Sequence, residues 1–167
     1  MAIRPHLVWG PGDTQLVGRI VDRARQGRLA IVGTGAALID TTYIDNAVDA
    51  IVAAVDRVPQ LAGRALVVSN GQPRTVRELL SRIVTAAGLP PPQFRVPATA
   101  AKAGGRVVEE VWERRGLETD PPMTSFLAEQ LATAHWFDQR ETRRALGWTP
   151  AVTLEDGFTR LTEWFAA

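Results

Sequence analysis

The chain has 167 residues and a formal net charge of +1, with 46% apolar and 22% charged residues. This length suits one domain over residues 1–167, no apolar run reaches the roughly 20 residues of a membrane span, and the first residues lack the pattern of a signal peptide, so we expect a cytoplasmic domain. The absence of cysteine excludes disulfides and thiolate metal sites, and acidic residues interleave the arginines, which disfavours nucleic acid as a partner.

The first segment predicts a strand followed by a helix. Residues 3–8 are mostly apolar and lead into the glycine- and proline-rich loop 10–13, a pattern typical of a buried strand that leaves a core. Asp13 predicts the N-cap of a helix that ends at Gly27.

The next segment predicts two strands and a second helix. Residues 29–32 and 37–42 are two short apolar runs on either side of the turn at 33–35, and together they predict a small β element. Asp45 predicts the N-cap of a helix that continues through Val55. The apolar side chains of this helix, Val48, Ile51, Val52 and Val55, fall on one side of it.

The middle of the chain contains a segment that we predict to be a buried strand of a parallel sheet. Residues 65–68 form an apolar run without polar alternation, as expected of a strand covered on both faces. Thr75 and Glu78 form a capping box that opens a helix ending at Gly88. Residues 94–96 predict an edge strand.

The last third predicts helices. Residues 98–115 form an amphipathic pattern whose apolar side we expect in the core. Thr153 begins a further capping box, which opens a terminal helix expected to bury Phe158, Leu161, Trp164 and Phe165. The order of strands and helices predicts an α/β fold.

Several segments of the chain resemble one superfamily, the extended short-chain dehydrogenases of the NAD-dependent epimerase/dehydratase type. The segments are RPHLVWGPGD at residues 4–13, YIDN within residues 39–50, SNGQP and Thr75 within residues 69–75, and HWFD and ALGWTP within residues 135–150. The pattern is most similar to the 3β-hydroxysteroid dehydrogenase and sterol or 3-oxoacyl reductase branch. The resemblance covers essentially the whole chain, which corresponds to the second half of such an enzyme.

The resemblance implies a fold and a function. The fold is the last strands of an incomplete Rossmann-type sheet together with a small, mostly helical substrate lobe. The function is that of the substrate-binding half of an NAD(P)-dependent oxidoreductase that acts on a hydroxyl or ketone of an apolar, sterol-like or 3-oxoacyl, substrate.

The resemblance also implies site residues. The first strand would contact the cofactor through Pro5, His6, Leu7 and Val8, with the backbone amide of Val8 donating to the nicotinamide carboxamide. The substrate pocket would be bordered by Trp9, Asp13, Leu16, Val17 and Tyr43. The alternative interpretation of Trp9 is an ordinary place in the core, and that of Tyr43 is a half-buried aromatic side chain at the end of a strand.

Two motifs of the superfamily have no counterpart here. Its paired Tyr and Lys, four residues apart, cannot form, because Ala47 lies four residues after the single tyrosine Tyr43 and Ala98 lies four residues before the single lysine Lys102. No glycine-rich loop of the dinucleotide-binding type follows a first strand. We therefore expect the chain alone to be inactive and to bind neither NAD nor NADP tightly.

Other functions stay open from the sequence. The chain could be a standalone module that binds an apolar ligand, one chain of a split enzyme with a nucleotide-binding partner chain, or a fragment of a nucleotide-sugar epimerase. We also expect self-association, because the predicted sheet strands would present unpaired edges and apolar surface.

Overall fold

The computed structural model describes residues 1–117, 121 and 124–167, which form eight strands and seven helices. The strands are β1 Ala2–Pro5, β2 Val8–Trp9, β3 Ala30–Val32, β4 Leu38–Ile39, β5 Thr42–Tyr43, β6 Ala65–Val68, β7 Arg74–Thr75 and β8 Phe94–Val96. The helices are α1 Val17–Arg25, α2 Ile44–Val55, α3 Val76–Ala86, α4 Ala98–Arg114, α5 Ser125–Ala132, α6 Arg140–Leu146 and α7 Leu154–Ala166.

The strands pair two by two, and three of these four pairs are parallel. β1 pairs with β6, β2 with β5 and β3 with β8 in parallel, whereas β4 and β7 are antiparallel. Parallel pairs separated by helices match a partial Rossmann-like fold, so the predicted α/β class is confirmed. The predicted strands at 65–68 and 94–96 are confirmed as β6 and β8.

The single strand predicted for residues 3–8 is wrong. The backbone of Leu7 has a φ of 44°, in the left-handed region, and this residue divides the segment into β1 and β2. The turn at Leu7 changes the direction of the chain. As a result β1 pairs with β6, whereas β2 pairs with β5. An apolar run cannot reveal such a turn when the residue that makes it is itself apolar.

The small β element predicted for residues 29–42 is also wrong. Its first strand, β3, pairs with β8 rather than with the second strand. The second strand, predicted for residues 37–42, divides into β4, which pairs with β7, and β5, which pairs with β2. Long-range partners decide these pairings.

The predicted helix caps Thr75 and Thr153 are confirmed, whereas the prediction that Asp13 is the N-cap of α1 is wrong, because the N-cap residue is Leu16. The carboxylate of Asp13 accepts hydrogen bonds from the amides of the following turn, at 2.8 Å from Gln15, 3.1 Å from Leu16 and 3.0 Å from Val17. The hydroxyl of Thr75 accepts from the amide of Glu78 at 3.1 Å. The hydroxyl of Thr153 accepts from the amide of Asp156 at 3.1 Å.

The prediction that Asp45 caps α2 is wrong. Tyr43 is the N-cap residue, with an extended backbone, and Asp45 lies within the first helical turn. Its exposed carboxylate contacts the guanidinium of Arg160 at 2.8 Å. A carboxylate in the first turn still interacts favourably with the positive end of the helix dipole.

The apolar side of α2 is not the side that the structure buries. The helix buries small and polar side chains, those of Asn46, Ala47, Ala50 and Ala54. The side that carries the larger apolar residues is exposed, with relative accessibilities of 50% for Val48, 47% for Ile51, 57% for Val52 and 65% for Val55. We call these four residues the outer stripe. Small side chains let α2 lie close to β1, and Asn46 ties it to the polar groups described below.

The main core lies among α1, α3 and α7, and a second core lies under α2. In α7, Phe158 and Leu161 are buried as predicted, Phe165 is half-buried, and the expected burial of Trp164 is wrong because 47% of it is exposed. In α4 the predicted core side is also exposed at Val107, which is 61% accessible. None of the helices in the described part of the chain has the length and apolarity to cross a bilayer.

Candidate functional site

The turn at His6 and Leu7 is held by hydrogen bonds to Val68 and Thr42. The amide of His6 donates to the carbonyl of Val68 at 2.9 Å, and the hydroxyl of Thr42 lies 2.8 Å from the carbonyl of His6 and 3.0 Å from that of Val68. The amide of Thr42 donates to the carbonyl of Leu7 at 3.2 Å. Positive φ is unfavourable for leucine and persists only where the surroundings constrain it, so this turn is rigidly placed.

The ring of His6 is oriented by two contacts. Its Nδ1 lies 2.6 Å from the backbone carbonyl of Asp40, which can only accept, so Nδ1 carries the proton. The edge of the ring contacts the ring of Phe137, with centroids 4.9 Å apart. The side chains of His6 and Phe137 and the backbone of Asp40, from three distant segments, therefore meet beside the turn.

Buried polar groups follow the ends of neighbouring strands. The hydroxyl of Ser69 donates to the carboxylate of Asp40 at 2.6 Å, and the amide of Thr41 donates to the same carboxylate at 3.1 Å. The amide of Ser69 donates to the side-chain oxygen of Gln139 at 3.1 Å. We did not predict these residues as functional, although polar residues directly after an apolar strand are a signal that the sequence contains.

Two buried asparagines form a second network that the sequence analysis missed. The side-chain oxygen of Asn70 accepts from the amide of Tyr43 and from the side chain of Asn46, each at 3.0 Å. Both asparagine side chains donate to the carbonyl of Val152, at 2.7 Å and 2.9 Å, and the amide of Val152 donates back to Asn46 at 3.0 Å. The network joins β5, α2 and the segment before α7.

The residues predicted to border the substrate lie together near the main core. Trp9 is 1% exposed, stacks on Phe158 with centroids 4.6 Å apart and donates from its indole nitrogen to the hydroxyl of Thr41 at 3.0 Å. The ring of Tyr43 contacts Trp9 edge-on at 5.5 Å. A side chain at Gly157 would approach Tyr43 to 2.7 Å, so only glycine fits there.

The other predicted substrate residues belong to α1 and its cap. Val17 is buried, Leu16 packs half-buried against the same core, and the carboxylate of Asp13 is engaged by the helix amides. The structure thus brings Trp9, Val17 and Tyr43 into one core with Leu16 at its margin. Their contact with a substrate stays a prediction.

An open cleft of about 460 Å³ lies beyond the carboxyl ends of β1 and β6. Its lining residues are Gly71, Pro73, Trp136, Phe137, Asp138, Gln139, Arg140 and Arg143. Ligands of open α/β sheets bind outside the carboxyl ends of the strands, and this volume falls in the usual range of small-molecule sites. The sequence analysis did not predict this cleft, because its walls come from segments about seventy positions apart.

One acidic side chain at the cleft is paired. The guanidinium and amide of Arg140 donate hydrogen bonds to Asp138, and these bonds lower the pKa of Asp138 to about 2. The carboxylate of Asp138 is therefore charged at neutral pH and compensated by its neighbour.

The turn at residues 33–35 has no geometry for holding a diphosphate. It leads into β4 rather than into a helix N-terminus, where backbone amides would converge on an anion. A Cβ at Gly35 would lie 2.6 Å from the side chain of Ile31, so this glycine serves close packing. This turn therefore does not offer a helix N-terminus to a pyrophosphate.

Curated relatives cover nearly the whole chain. It is 44% identical over 164 residues to the 2-alkyl-3-oxoalkanoate reductase of Stenotrophomonas maltophilia, a match that covers 96% of this chain and 50% of that protein. It is 40% identical to the enzyme of the same name from Shewanella oneidensis, covering 96% and 43%. It is 28% identical to the human sterol-4-alpha-carboxylate 3-dehydrogenase, decarboxylating, covering 98% and 46%. The chain spans about half the length of the curated relatives it matches.

Solved structures support the fold at lower identity. The UDP-glucuronic acid 4-epimerase from Bacillus cereus, in complex with NAD, superposes with a TM-score of 0.62 at 18% identity, over 98% of this chain and 44% of that one. The structure of gox2253 gives a TM-score of 0.66 at 21% identity, over 98% and 48%.

The family model matches residues 1–98, which contain the turn at Leu7, the polar strand ends and the helices α1 to α3. Together with the relative at 44% identity, this match confirms the resemblance found in the sequence. The chain belongs to the 3-beta hydroxysteroid dehydrogenase/isomerase family.

Proposed function

We propose that the chain is the substrate-binding half of an NAD(P)-dependent oxidoreductase that interconverts a ketone and a hydroxyl on an apolar 3-oxoacyl or sterol-like substrate. The observation that carries this proposal is the 44% identity to a 2-alkyl-3-oxoalkanoate reductase over 96% of the chain. The family match and the sterol dehydrogenase relative support the same reaction class.

The proposed cofactor contact is the segment Pro5, His6, Leu7 and Val8. The rigid turn at Leu7 sets the direction of the chain at the carboxyl end of β1, where α/β sheets bind their ligands. In the assembled enzyme the amide of Val8 would donate to the nicotinamide carboxamide, because a strand fixes the direction of its backbone donors. A bound nicotinamide would supply or accept the hydride.

The proposed substrate wall consists of Trp9, Asp13, Leu16, Val17 and Tyr43. The buried position of Trp9 and Tyr43 gives the wall a rigid backing, and half-buried Leu16 is the apolar side chain of the group with surface left for a substrate. Proton transfer would require a donor from another part of the enzyme, because Tyr43 is buried against Trp9 and has Ala47 where a lysine would be needed.

The proposed partner is a nucleotide-binding half, which would supply the pyrophosphate site and the proton donor. The exposed outer stripe of α2 and the small β1–β6 pair support such a partner, since parallel strands are normally covered on both faces. We also propose that the chain self-associates through the same surface when it is alone. We also propose that the protein is cytoplasmic, because nicotinamide dinucleotides are present in the cytoplasm.

The test is reconstitution of hydride transfer. The chain is co-expressed with the part of the Stenotrophomonas relative that lies outside the match, and absorbance of NADH and NADPH is followed with a 2-alkyl-3-oxoalkanoate. We expect turnover by the pair and none by either part alone. Val8→Pro should lower the rate of hydride transfer, because proline removes the proposed backbone donor. Asp49→Ala, at an exposed position, should leave this rate unchanged.

Melting temperature and cofactor affinity are measured for each variant, since proline could also disturb β2. Full activity of Val8→Pro would refute the assigned role of Val8. Failure of the assembled, folded pair to reduce any 3-oxoacyl or sterol-like ketone would refute the proposed function.

A further inference from the structure

The substrate names of two relatives share a chemical unit. A 2-alkyl-3-oxoalkanoate carries its carboxylate on the carbon beside the reacting ketone, and a sterol-4-alpha-carboxylate carries its carboxylate on the carbon beside the reacting position 3. A chain with the function proposed above therefore needs cationic or amide donors for a carboxylate close to the nicotinamide. The inference that follows rests on that proposed function.

We propose that the cleft beyond β1 and β6 is a carboxylate-binding subsite, in which the guanidinium of Arg143 and the side-chain amide of Gln139 hold the carboxylate of a 3-oxo or 3-hydroxy acid. Both residues line the cleft. No charged carboxylate of the described chain pairs with Arg143.

Gln139 supplies a buried donor without a partner. Its side chain is 5% exposed, and its oxygen is already used, accepting from the amide of Ser69 at 3.1 Å. Its Nε2 is buried and has no hydrogen-bond partner in the structure. A buried N–H group without a partner is costly in folded proteins, so a ligand that brought an acceptor to this donor would be favoured.

Arg143 supplies the charge. One of its terminal nitrogens donates to the carbonyl of Asn70 at 3.1 Å, which holds the side chain against the strand end, while its Nε is buried without a partner. The backbone of Gly71 has a φ of 65°, and a Cβ there would come within 2.7 Å of the guanidinium. Glycine thus leaves the room that Arg143 occupies. A planar guanidinium is well suited to bind a carboxylate through two hydrogen bonds.

The cleft is adjacent to the proposed cofactor segment. Phe137 lines the cleft and contacts the ring of His6, within that segment, at 4.9 Å. A carboxylate bound by Arg143 would therefore sit beside the nicotinamide edge, as the shared substrate unit requires. Trp136, 58% exposed on the same cleft, offers an apolar surface for the alkyl chain.

The test measures binding to the chain alone, without cofactor. The probe is 2-methyl-3-hydroxydecanoate, compared with its methyl ester, by ligand-observed NMR. We expect the acid to bind at least about tenfold more tightly than the ester, the preference expected of one charge-assisted hydrogen bond. Arg143→Gln and Gln139→Glu should remove this preference and leave binding of the ester unchanged.

Gln139→Glu keeps the acceptor for Ser69 but replaces the free donor with a negative oxygen. Arg144→Gln is the matched control, because it removes the same charge from an exposed neighbour outside the cleft. Arg143→Lys keeps the charge without the planar fork and should retain part of the preference. Circular dichroism establishes that each variant is folded.

Equal binding of acid and ester, absence of saturable acid binding, or an equal loss in Arg144→Gln would overturn the subsite. The result is separable from the proposed function, because no hydride transfer is measured. An acid preference that depends on Arg143 would support the subsite even if the assembled enzyme reduced no ketone. Conversely, turnover unaffected by Arg143→Gln would support the reaction and refute this site.

Discussion

At the scale of single residues, Leu7 concentrates backbone strain where the proposed cofactor contact begins. Its φ of 44° costs an L-residue about 1 kcal/mol, while its side chain is half-buried against the main core. Leu7→Gly and Leu7→Ala both remove that contact, but only glycine tolerates the conformation. We expect Leu7→Ala to be less stable than Leu7→Gly by about 1 kcal/mol in urea unfolding. Equal stabilities would contradict the strained turn.

Two aspartates near helix starts should differ in their effect on stability. Asp13 accepts three backbone amides, so Asp13→Ala should lower the free energy of unfolding by about 1 to 2 kcal/mol. Asp45 is exposed within the first turn and pairs with Arg160, so Asp45→Ala should cost only about 0.5 kcal/mol. Chemical denaturation of the two variants checks this order, and a larger loss for Asp45 would reinstate it as the cap.

At the scale of elements, the outer stripe of α2 should govern association. Four large apolar side chains on one exposed helix face favour burial against another surface. Ile51→Lys with Val55→Lys should reduce self-association of the chain at tens of micromolar, measured by light scattering. Val107→Lys is the control, since Val107 is an exposed apolar residue of α4. A monomeric wild-type chain, or an equal effect of the control, would contradict this assignment.

The sequence was sufficient for elements with a local signal. The caps at Thr75 and Thr153 follow from side chains that bond the next turn, and the apolar run 65–68 predicts a buried parallel strand. The buried face of α2 was not predictable in this way. Hydrophobicity points to the valines, but close approach to β1 and the bonds of Asn46 select the alanine side.

The candidate site was predictable only in part. The segment 5–8 could be named because it resembles a family motif, whereas the cleft joins Gly71 to Gln139 and Arg143 across the chain. Polar residues directly after apolar strands indicate that the strand ends bind a ligand or form hydrogen bonds with another segment. They do not indicate which distant segment completes the wall, because that depends on packing of elements far apart in sequence.

At the scale of the whole molecule, Asn46 connects segments 106 positions apart through its bonds to Val152. The side chain is fully buried, so Asn46→Ala leaves the amide of Val152 without a partner. We expect a loss of about 2 to 3 kcal/mol in the free energy of unfolding, against almost no loss for exposed Asp49→Ala on the same helix. A change below about 0.5 kcal/mol for Asn46→Ala would show that the network is not structural.

The pairing of β1 with β6 also has a consequence for the order in which the chain folds. Ala2 lies opposite Ala65, so β1 has no partner until some sixty more residues have left the ribosome. Closing a loop of that length slows folding, and an unpaired apolar strand is open to aggregation or chaperone binding in the interval. The helices α1 and α2 depend on local hydrogen bonds and can form first. Their formation shortens the chain between β1 and β6 and so makes the pairing of these two strands easier.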